Sequence, residues 1–339
     1  RSARSEKLWG PYENCSKNPI LTNRNDCSKR ISCSGHGDLV DDPDGNWWMV
    51  HLGTRDYQGM TFLGRETFLM PVRWEEDWPL VGEDTKARID VEAPLWAGQK
   101  IRESRSVSLN CRELTKNWLF RRIPDWKLFG NDEEGNLTIQ PSSVKLSDEK
   151  GASAFMAVRQ PDDKYCVKLK FAFDPAEDGD SAGVVIYLNE NYYCRLFMKK
   201  ENGQSFMIFE RRMDGVTFET FRRKAEPGKV TVQLKCDGEK YEISYKENSG
   251  EEVTRREYDN GEKTELPSLN QGNGEKKEFR IGKEAEQEFI LAGTSSVKFL
   301  STTLAGKCFT GALLGLFAEC NEKTTAKMRV SEFQWELNE

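Results

Sequence analysis

From residue 165 to 245 the chain repeatedly alternates apolar and polar residues with a period of two. Tyr165, Val167, Leu169, Phe171 and Phe173 are separated by Cys166, Lys168, Lys170 and Ala172. Val230, Val232, Leu234 and Cys236 repeat the pattern, and Tyr241, Ile243 and Tyr245 repeat it again. Successive side chains of a strand point to opposite faces, so each run predicts a strand with one buried face. There is almost no helical spacing between the runs. Strands of this length at regular spacing predict an antiparallel β-sandwich over residues 113–339.

At 339 residues the chain is long enough for two domains. Residues 1–34 are rich in Pro, Asn, Ser and Cys and hold no sustained period. Three strands follow in the stretch from Gly35 to Val72. The first two are joined at Asp44-Gly45, a dipeptide suited to a tight hairpin. Trp74, Trp78 and Pro79 are expected to end the pattern in a turn. Pro94, Gly98 and the polar run Arg102-Glu103-Ser104-Arg105-Ser106 look like a linker. The expected division is therefore 1–100, a linker at 101–112, and 113–339. The strongly polar residues 246–288 are expected to be a solvated loop.

The apolar fraction is low at 37% and the charged fraction high at 31%, which would lean toward partial disorder. Aromatic residues at 11% argue against it, because each ring buries roughly 150–250 Å² and a few build a core. A formal charge of −6 disfavours nucleic acid and anionic membrane as partners, since both need a basic face. Nine cysteines form no Cys-x-x-Cys pair, and two histidines cannot supply the usual mixed zinc sites. A disulfide is conceivable among Cys15, Cys27 and Cys33, whereas Cys166, Cys194 and Cys236 read as buried thiols in strands. Asn14-Cys15-Ser16 and Asn136-Leu137-Thr138 fit the glycosylation acceptor pattern, a short pattern often met by chance. The compartment leans toward secretion, mostly on the substrate class reached below.

Two motifs fail on context. Gly179-Asp180-Ser181-Ala182-Gly183 has the letters of a nucleophile elbow, but a strand follows the serine and both histidines lie upstream. Gly311-Ala312-Leu313-Leu314-Gly315 has the spacing of a membrane helix-packing motif without an apolar twenty-mer around it. No phosphate loop, dinucleotide fingerprint or His-Glu-x-x-His occurs.

The stretch from Gly35 to Val72 holds both histidines, adjacent tryptophans and an arginine in an apolar run. Trp47 and Trp48 read first as core and edge, and His51 as a structural histidine. Arg65 lies in the apolar segment Phe62–Val72, where a buried guanidinium would need acceptors to offset its desolvation. His36 between two glycines has backbone room for a ligand to approach.

Gly35-His36-Gly37-Asp38-Leu39-Val40, Gly45-Asn46-Trp47-Trp48-Met49-Val50 and Leu63-Gly64-Arg65-Glu66-Thr67-Phe68-Leu69 resemble the last third of the five-bladed β-propeller of family 43 glycoside hydrolases, in the β-xylosidase branch. Phe155-Met156-Ala157-Val158-Arg159-Gln160, Ala182-Gly183-Val184-Val185-Ile186-Tyr187 with Asn191-Tyr192-Tyr193, and Phe309-Thr310-Gly311-Ala312 resemble that branch's C-terminal concanavalin-like β-sandwich. The resemblance covers nearly the whole chain in the family's order. It implies an all-β protein: the last blades of a propeller, then an antiparallel sandwich.

The resemblance implies hydrolysis of terminal xylose, and sometimes arabinofuranose, from xylo-oligosaccharides with inversion. Such chemistry needs an acid and a base held roughly 6.5–9.5 Å apart across the sugar. In the family these carboxylates, and a third acid that tunes them, lie on earlier blades, so no catalytic residue is expected in this chain. Its start resembles the strand after the general acid, and a partner polypeptide or segment carrying the N-terminal blades is expected to complete the propeller. What the resemblance carries over is substrate binding. Arg65 matches the arginine that reaches the sugar, and its charge should favour an ionised carboxylate nearby. His36 matches the histidine near the propeller axis. Phe309 matches an aromatic with which the sandwich closes the pocket, beside an ordinary core role. Asp38 is no catalytic acid, and Glu66 should point to the face opposite Arg65. No cofactor is required, and Ca2+, held by His36 directly or through water, is the metal the resemblance admits. Gly37, where relatives commonly carry Ala, is a departure expected to matter little. The alternative is a non-catalytic carbohydrate-binding or scaffold protein derived from such an enzyme.

Overall fold

The computed structural model describes residues 1–24, 26, 30–92, 104–248, 288–306 and 309–337. Cys27, part of the expected linker and most of the polar stretch 246–288 lie outside the described residues.

The chain opens with a short antiparallel pair, β1 (Ala3–Arg4) and β2 (Glu13–Asn14). A four-stranded antiparallel meander follows: β3 (Ile31–Asp41), β4 (Trp47–Arg55), β5 (Arg65–Glu75) and β6 (Trp78–Val81), hydrogen-bonded in that order. The β3–β4 hairpin is built around one carboxylate. Asp42 accepts from the backbone N–H groups of Asp44 and Asn46 and from the Trp48 indole, each at 2.9 Å. Gly45 supplies the positive φ of 83° that this turn requires. Trp48 is buried by that anchor. Met49, Met70, Val72, Trp78 and Val81 pack on Cys15 and Ile20 as a small core. The turn expected near Trp74 comes two residues later, at Glu76 and Asp77. Trp74 remains in β5, while Trp78 and Pro79 belong to β6.

The sandwich contains two antiparallel sheets. Its strands are β7 (Ser104–Ser106), β8 (Leu119–Phe120), β9 (Phe129–Asn131), β10 (Leu137–Ile139), β11 (Ala154–Arg159), β12 (Lys164–Phe173), β13 (Ser181–Asn189) and β14 (Tyr192–Glu201). Then come β15 (Gln204–Met213), β16 (Val216–Lys224), β17 (Gly228–Asp237), β18 (Lys240–Asn248), β19 (Ile290–Ser296), β20 (Leu313–Glu319) and β21 (Met328–Leu337). One sheet runs β19-β18-β17-β12-β21-β10-β9, with β7 also on β21. The other runs β16-β15-β14-β13-β20-β11-β8. Ser104–Ser106, within the stretch that reads as linker, is thus already a strand of the first sheet.

The period-two runs do what their spacing predicts. Tyr165, Val167, Leu169, Phe171 and Phe173 face inward with Val230, Val232, Leu234, Tyr241, Ile243 and Tyr245. Met156, Val184, Ile186, Leu196 and Leu316 meet them from the second sheet. Each fully buried side chain of this kind contributes roughly 1.5–3 kcal/mol relative to exposure. The second sheet is apolar on its outer face as well, where Phe155, Val185, Tyr187, Phe197 and Phe317 pack around Leu146. Hence β13 reads as a continuous apolar run rather than an alternating one. Arg195 crosses that outer layer with Glu210 at 2.6 Å and Glu319 at 2.9 Å as acceptors.

The two failed motifs have structural roles. Asp180 is buried in the turn before β13 and accepts from the Ala176 and Glu177 N–H groups and the Thr324 hydroxyl. Gly315 in β20 makes room for the Phe155 ring, to which an added Cβ would come within 2.6 Å. Among the cysteines, Cys194 and Cys236 are buried, and burial pushes both thiols up to about 12. Cys166 corrects the expectation of a buried thiol: it alternates onto the half-exposed outer face. Cys15 and Cys33 are free thiols, the first buried and the second exposed.

Candidate functional site

Where the meander meets the sandwich, two short segments run antiparallel. The Phe62 carbonyl accepts from the Ala312 N–H at 2.9 Å, and the Arg65 N–H donates to the Phe309 carbonyl at 3.0 Å. Gly64 and Thr310 form the bridge between them. This approach requires glycines on both sides. A Cβ on Gly64, which has φ 73°, would lie 2.1 Å from the Gly311 nitrogen, and one on Gly311 would lie 2.1 Å from the Leu63 carbonyl carbon. Phe62 enters the sandwich core fully buried, edge-on to Tyr241. Thr61 fastens the same segment, its N–H donating to the Ser301 hydroxyl at 3.0 Å.

That junction sets the Arg65 side chain against Phe309. The guanidinium carbon sits 3.7 Å from the ring centroid. Phe309 is 63% exposed, so it is a surface aromatic and not a core residue. Arg65 is exposed too, which corrects the expectation of a buried guanidinium in an apolar strand. Among the described residues it has no carboxylate partner; its cation rests on an aromatic face instead. Its neighbour along β5, Glu66, is engaged elsewhere. Glu66 holds Arg55 through two short bonds, 2.7 Å to Nη2 and 2.9 Å to Nε, and Arg55 reaches Asp162 of the sandwich at 2.7 Å. Burial disfavours the Arg55 charge, but these acceptors outweigh it and hold the guanidinium more firmly protonated than usual. Strand alternation therefore separates a structural ion pair on one face from an unpaired cation on the other.

A cleft of about 380 Å³ opens here, lined by Arg65, Glu66, Thr67, Leu63, Arg159, Gln160 and residues Gly311–Leu313. Arg159 and Gln160 end the stretch Phe155-Met156-Ala157-Val158-Arg159-Gln160, and no local pattern marks either as a site residue. Gln160 positions the second segment: its amide donates to the Ala312 carbonyl at 2.8 Å. Its carbonyl accepts from the buried hydroxyls of Tyr165 and Tyr241 at 2.8 and 3.0 Å. Arg159 ends β11, exposed and without an acidic partner among the described residues.

His36 is not brought into this cleft. It lies on β3, exposed, at φ 53° in a strand whose register shifts on both sides of Gly35, and β4 separates it from Arg65. Among the described residues no three His, Cys, Asp or Glu side chains gather as ligands would. Calcium also prefers six to eight oxygens to an imidazole. The described side chains by themselves form no calcium site. Gly37 is packed rather than open. An added Cβ would meet Met49 Sδ at 2.8 Å, so alanine there requires the methionine to move. His51 is buried and structural, stacked on Phe68 with Nδ1 against the Leu52 carbonyl at 2.9 Å.

Residues 1–79 match the family model described as "Glycosyl hydrolases family 43", and residues 110–264 match "Beta xylosidase C-terminal Concanavalin A-like domain". A non-reducing-end α-L-arabinofuranosidase of Bacteroides ovatus is 26% identical over 98% of this chain and 56% of its own length. A xylosidase/arabinosidase of Butyrivibrio fibrisolvens is 33% identical over 61% of this chain and 41% of its own. Among solved structures, a family 43 protein of Bacillus licheniformis superposes with a TM-score of 0.82 at 25% identity, covering 99% of this chain and 59% of the other. The chain thus spans about half the length of these curated relatives.

Proposed function

The chain belongs to glycoside hydrolase family 43, with the β-xylosidase type of C-terminal domain, and from that premise we propose that it supplies the sugar-gripping wall of an inverting, exo-acting glycosidase. Its substrate is a xylo-oligosaccharide, from which terminal xylose or arabinofuranose is released. The catalytic carboxylates come from sequence outside this chain. Residues 1–100 act as the last part of the propeller and 113–339 as the sandwich that closes the pocket, with 101–112 between them, of which Ser104–Ser106 already pairs with the sandwich.

One observation carries this proposal: Arg65 from the meander and Phe309 from the sandwich meet at 3.7 Å, both exposed and both free to face a ligand. The planar fork of Arg65 can donate to neighbouring sugar hydroxyls, and its positive charge lowers the cost of keeping a nearby carboxylate ionised. Phe309 limits the space beyond the terminal sugar and fixes the orientation of the guanidinium by the stacking contact. Gln160 acts through Phe309, as a positioning residue that holds the Gly311–Ala312 segment. His36 belongs to the same pocket only once further blades surround it. The exposed face of the meander supports such a neighbour: Val50 and Leu69 lie directly opposite each other in the β4–β5 register, and both are exposed, as is Val40. An apolar sheet face of this kind is ordinarily covered.

The test is turnover of aryl xyloside and aryl arabinofuranoside by this chain alone, then after N-terminal propeller blades of the same family are supplied in trans or by fusion. The expected result is no turnover alone and turnover on completion, lost again with Arg65→Ala. Turnover by the chain alone would overturn the proposal. Xylobiose binding without turnover in the completed protein favours the alternative, a non-catalytic carbohydrate-binding or scaffold protein, for which the exposed cation and aromatic face are equally suited.

A further inference from the structure

The Arg65 cleft does not end at Arg159. The same arginine and Gln160 line a second pocket of about 420 Å³ at the adjoining end of the sandwich, where β7, β8, β11 and β21 leave the space between the sheets open. Its floor is apolar and aromatic: Val158, the buried Trp118 and the half-buried Trp335. Its rim carries Arg105, Lys116 and Arg159, and among the described residues no acidic side chain lines it. Arg159 and Lys116 are exposed and have no carboxylate partner among the described residues. On a chain of net charge −6 such a concentration of cations around an indole is unexpected from composition.

We propose that this pocket binds a carboxylate-bearing sugar, a uronic acid unit carried on the oligosaccharide whose terminal residue occupies the Arg65 cleft. This inference rests on the saccharide reading of that cleft. The volume lies in the range of sites that take small ligands, with an apolar floor and a few converging polar groups. A pyranose ring presents C–H groups on its faces, which lie against the Trp335 indole, and hydroxyls at its edges, which Thr115 can meet. The carboxylate is what the cations select. Arg159 offers a fork that matches a carboxylate in two parallel bonds, and Lys116 adds a point charge. A neutral pentose in the same place would leave both cations unpaired, so the discrimination follows from charge and not from shape.

The experiment is calorimetric titration of the full chain with xylobiose, with xylobiose bearing a glucuronic acid substituent, and with inorganic phosphate. The acidic saccharide is expected to bind about tenfold tighter than the neutral one, the effect of one charge-assisted contact. That preference should shrink at high salt. Arg159→Gln and Lys116→Gln, both surface changes, should each reduce the preference toward parity with unchanged melting temperature. Equal affinity for the two saccharides overturns the proposal, as do variants that keep the preference. Phosphate binding as tight as the acidic saccharide would make the pocket a general anion site and overturn it too. Binding of neither saccharide also sinks it. The hydrolytic proposal is judged separately, by turnover on completion, and survives any of these failures.

Discussion

Arg65 and Phe309 are joined twice: the Arg65 N–H donates to the Phe309 carbonyl at 3.0 Å, and the Arg65 guanidinium lies 3.7 Å from the Phe309 ring centroid. The backbone bond fixes where each side chain starts, and the stacking contact fixes where both end. An exposed cation–π contact is worth only about 0.5–1 kcal/mol, so its value lies in orientation more than in stability. Arg65→Ala should therefore shift the melting temperature little. In the completed enzyme it should lower kcat/KM by about 10²–10³-fold, equivalent to a few kcal/mol of lost charged contact. Michaelis kinetics with near-normal turnover would remove Arg65 from the site.

The backbone approach beneath this pair tolerates no side chain. Gly64→Ala and Gly311→Ala each place a methyl 2.1 Å from backbone atoms of the facing segment. Each should cost about 1–3 kcal/mol or more, as overpacking does where no side chain can yield. Gly37→Ala should cost less, because the atom it meets is the flexible end of Met49. Chemical denaturation of the three variants side by side tests the order.

Gln160 makes three side-chain hydrogen bonds beside the cleft. Gln160→Ala leaves the hydroxyls of Tyr165 and Tyr241 buried without their acceptor and frees the Ala312 carbonyl. The expected loss is about 2–4 kcal/mol, chiefly from the two buried hydroxyls left without an acceptor. Gln160→Glu, which keeps the acceptor, should recover part of it. A melt in which alanine and glutamate behave alike would contradict this account.

Glu66 gives Arg55 its two shortest bonds on the meander side, with both side chains largely shielded. Glu66→Ala should destabilise by about 1–3 kcal/mol, since Arg55 then keeps only its sandwich partners. Asp162→Asn should cost less because that carboxylate is more exposed. A double-mutant cycle between Glu66 and Arg55 measures the coupling.

Asp163 makes the junction sensitive to acid. Burial raises its pKa, but donation from Arg30 at 3.0 Å and the charge of Arg55 outweigh that and hold it at about 2. A folded pKa below the unfolded value contributes stability that is present above the unfolded pKa and lost as pH falls through the folded one. The contribution should therefore be complete above about pH 4 and disappear toward about pH 2. In Asp163→Asn the acid limb of the stability profile should flatten over that window.

The sandwich was legible because alternation is local. Tyr165 through Phe173 name their own buried face, and the observed burial of that strand follows them residue by residue. The same rule separated Glu66 from Arg65. Propensity could not announce β13, which is apolar on both faces, as a strand buried on both sides; only the outer layer around Leu146 explains it. Nothing local distinguishes the end of β5 from the two-residue reversal at Glu76 and Asp77, so Trp74 and Trp78 by themselves do not locate the turn.

The sequence by itself determined the long alternating strands and the all-β class, and resemblance drew attention to Arg65 and Phe309 one at a time. Pattern and resemblance are carried by neighbours in the chain, and those survive without coordinates. Only the tertiary structure decided that Arg65 is an exposed cation on an aromatic face and not a buried one. It alone set His36 apart and made Arg159 common to two pockets. Exposure, pairing and shared walls depend on which segments pack together, and a Phe62–Arg65 strand pressed through two glycines onto Phe309–Ala312 is a contact that no local period encodes.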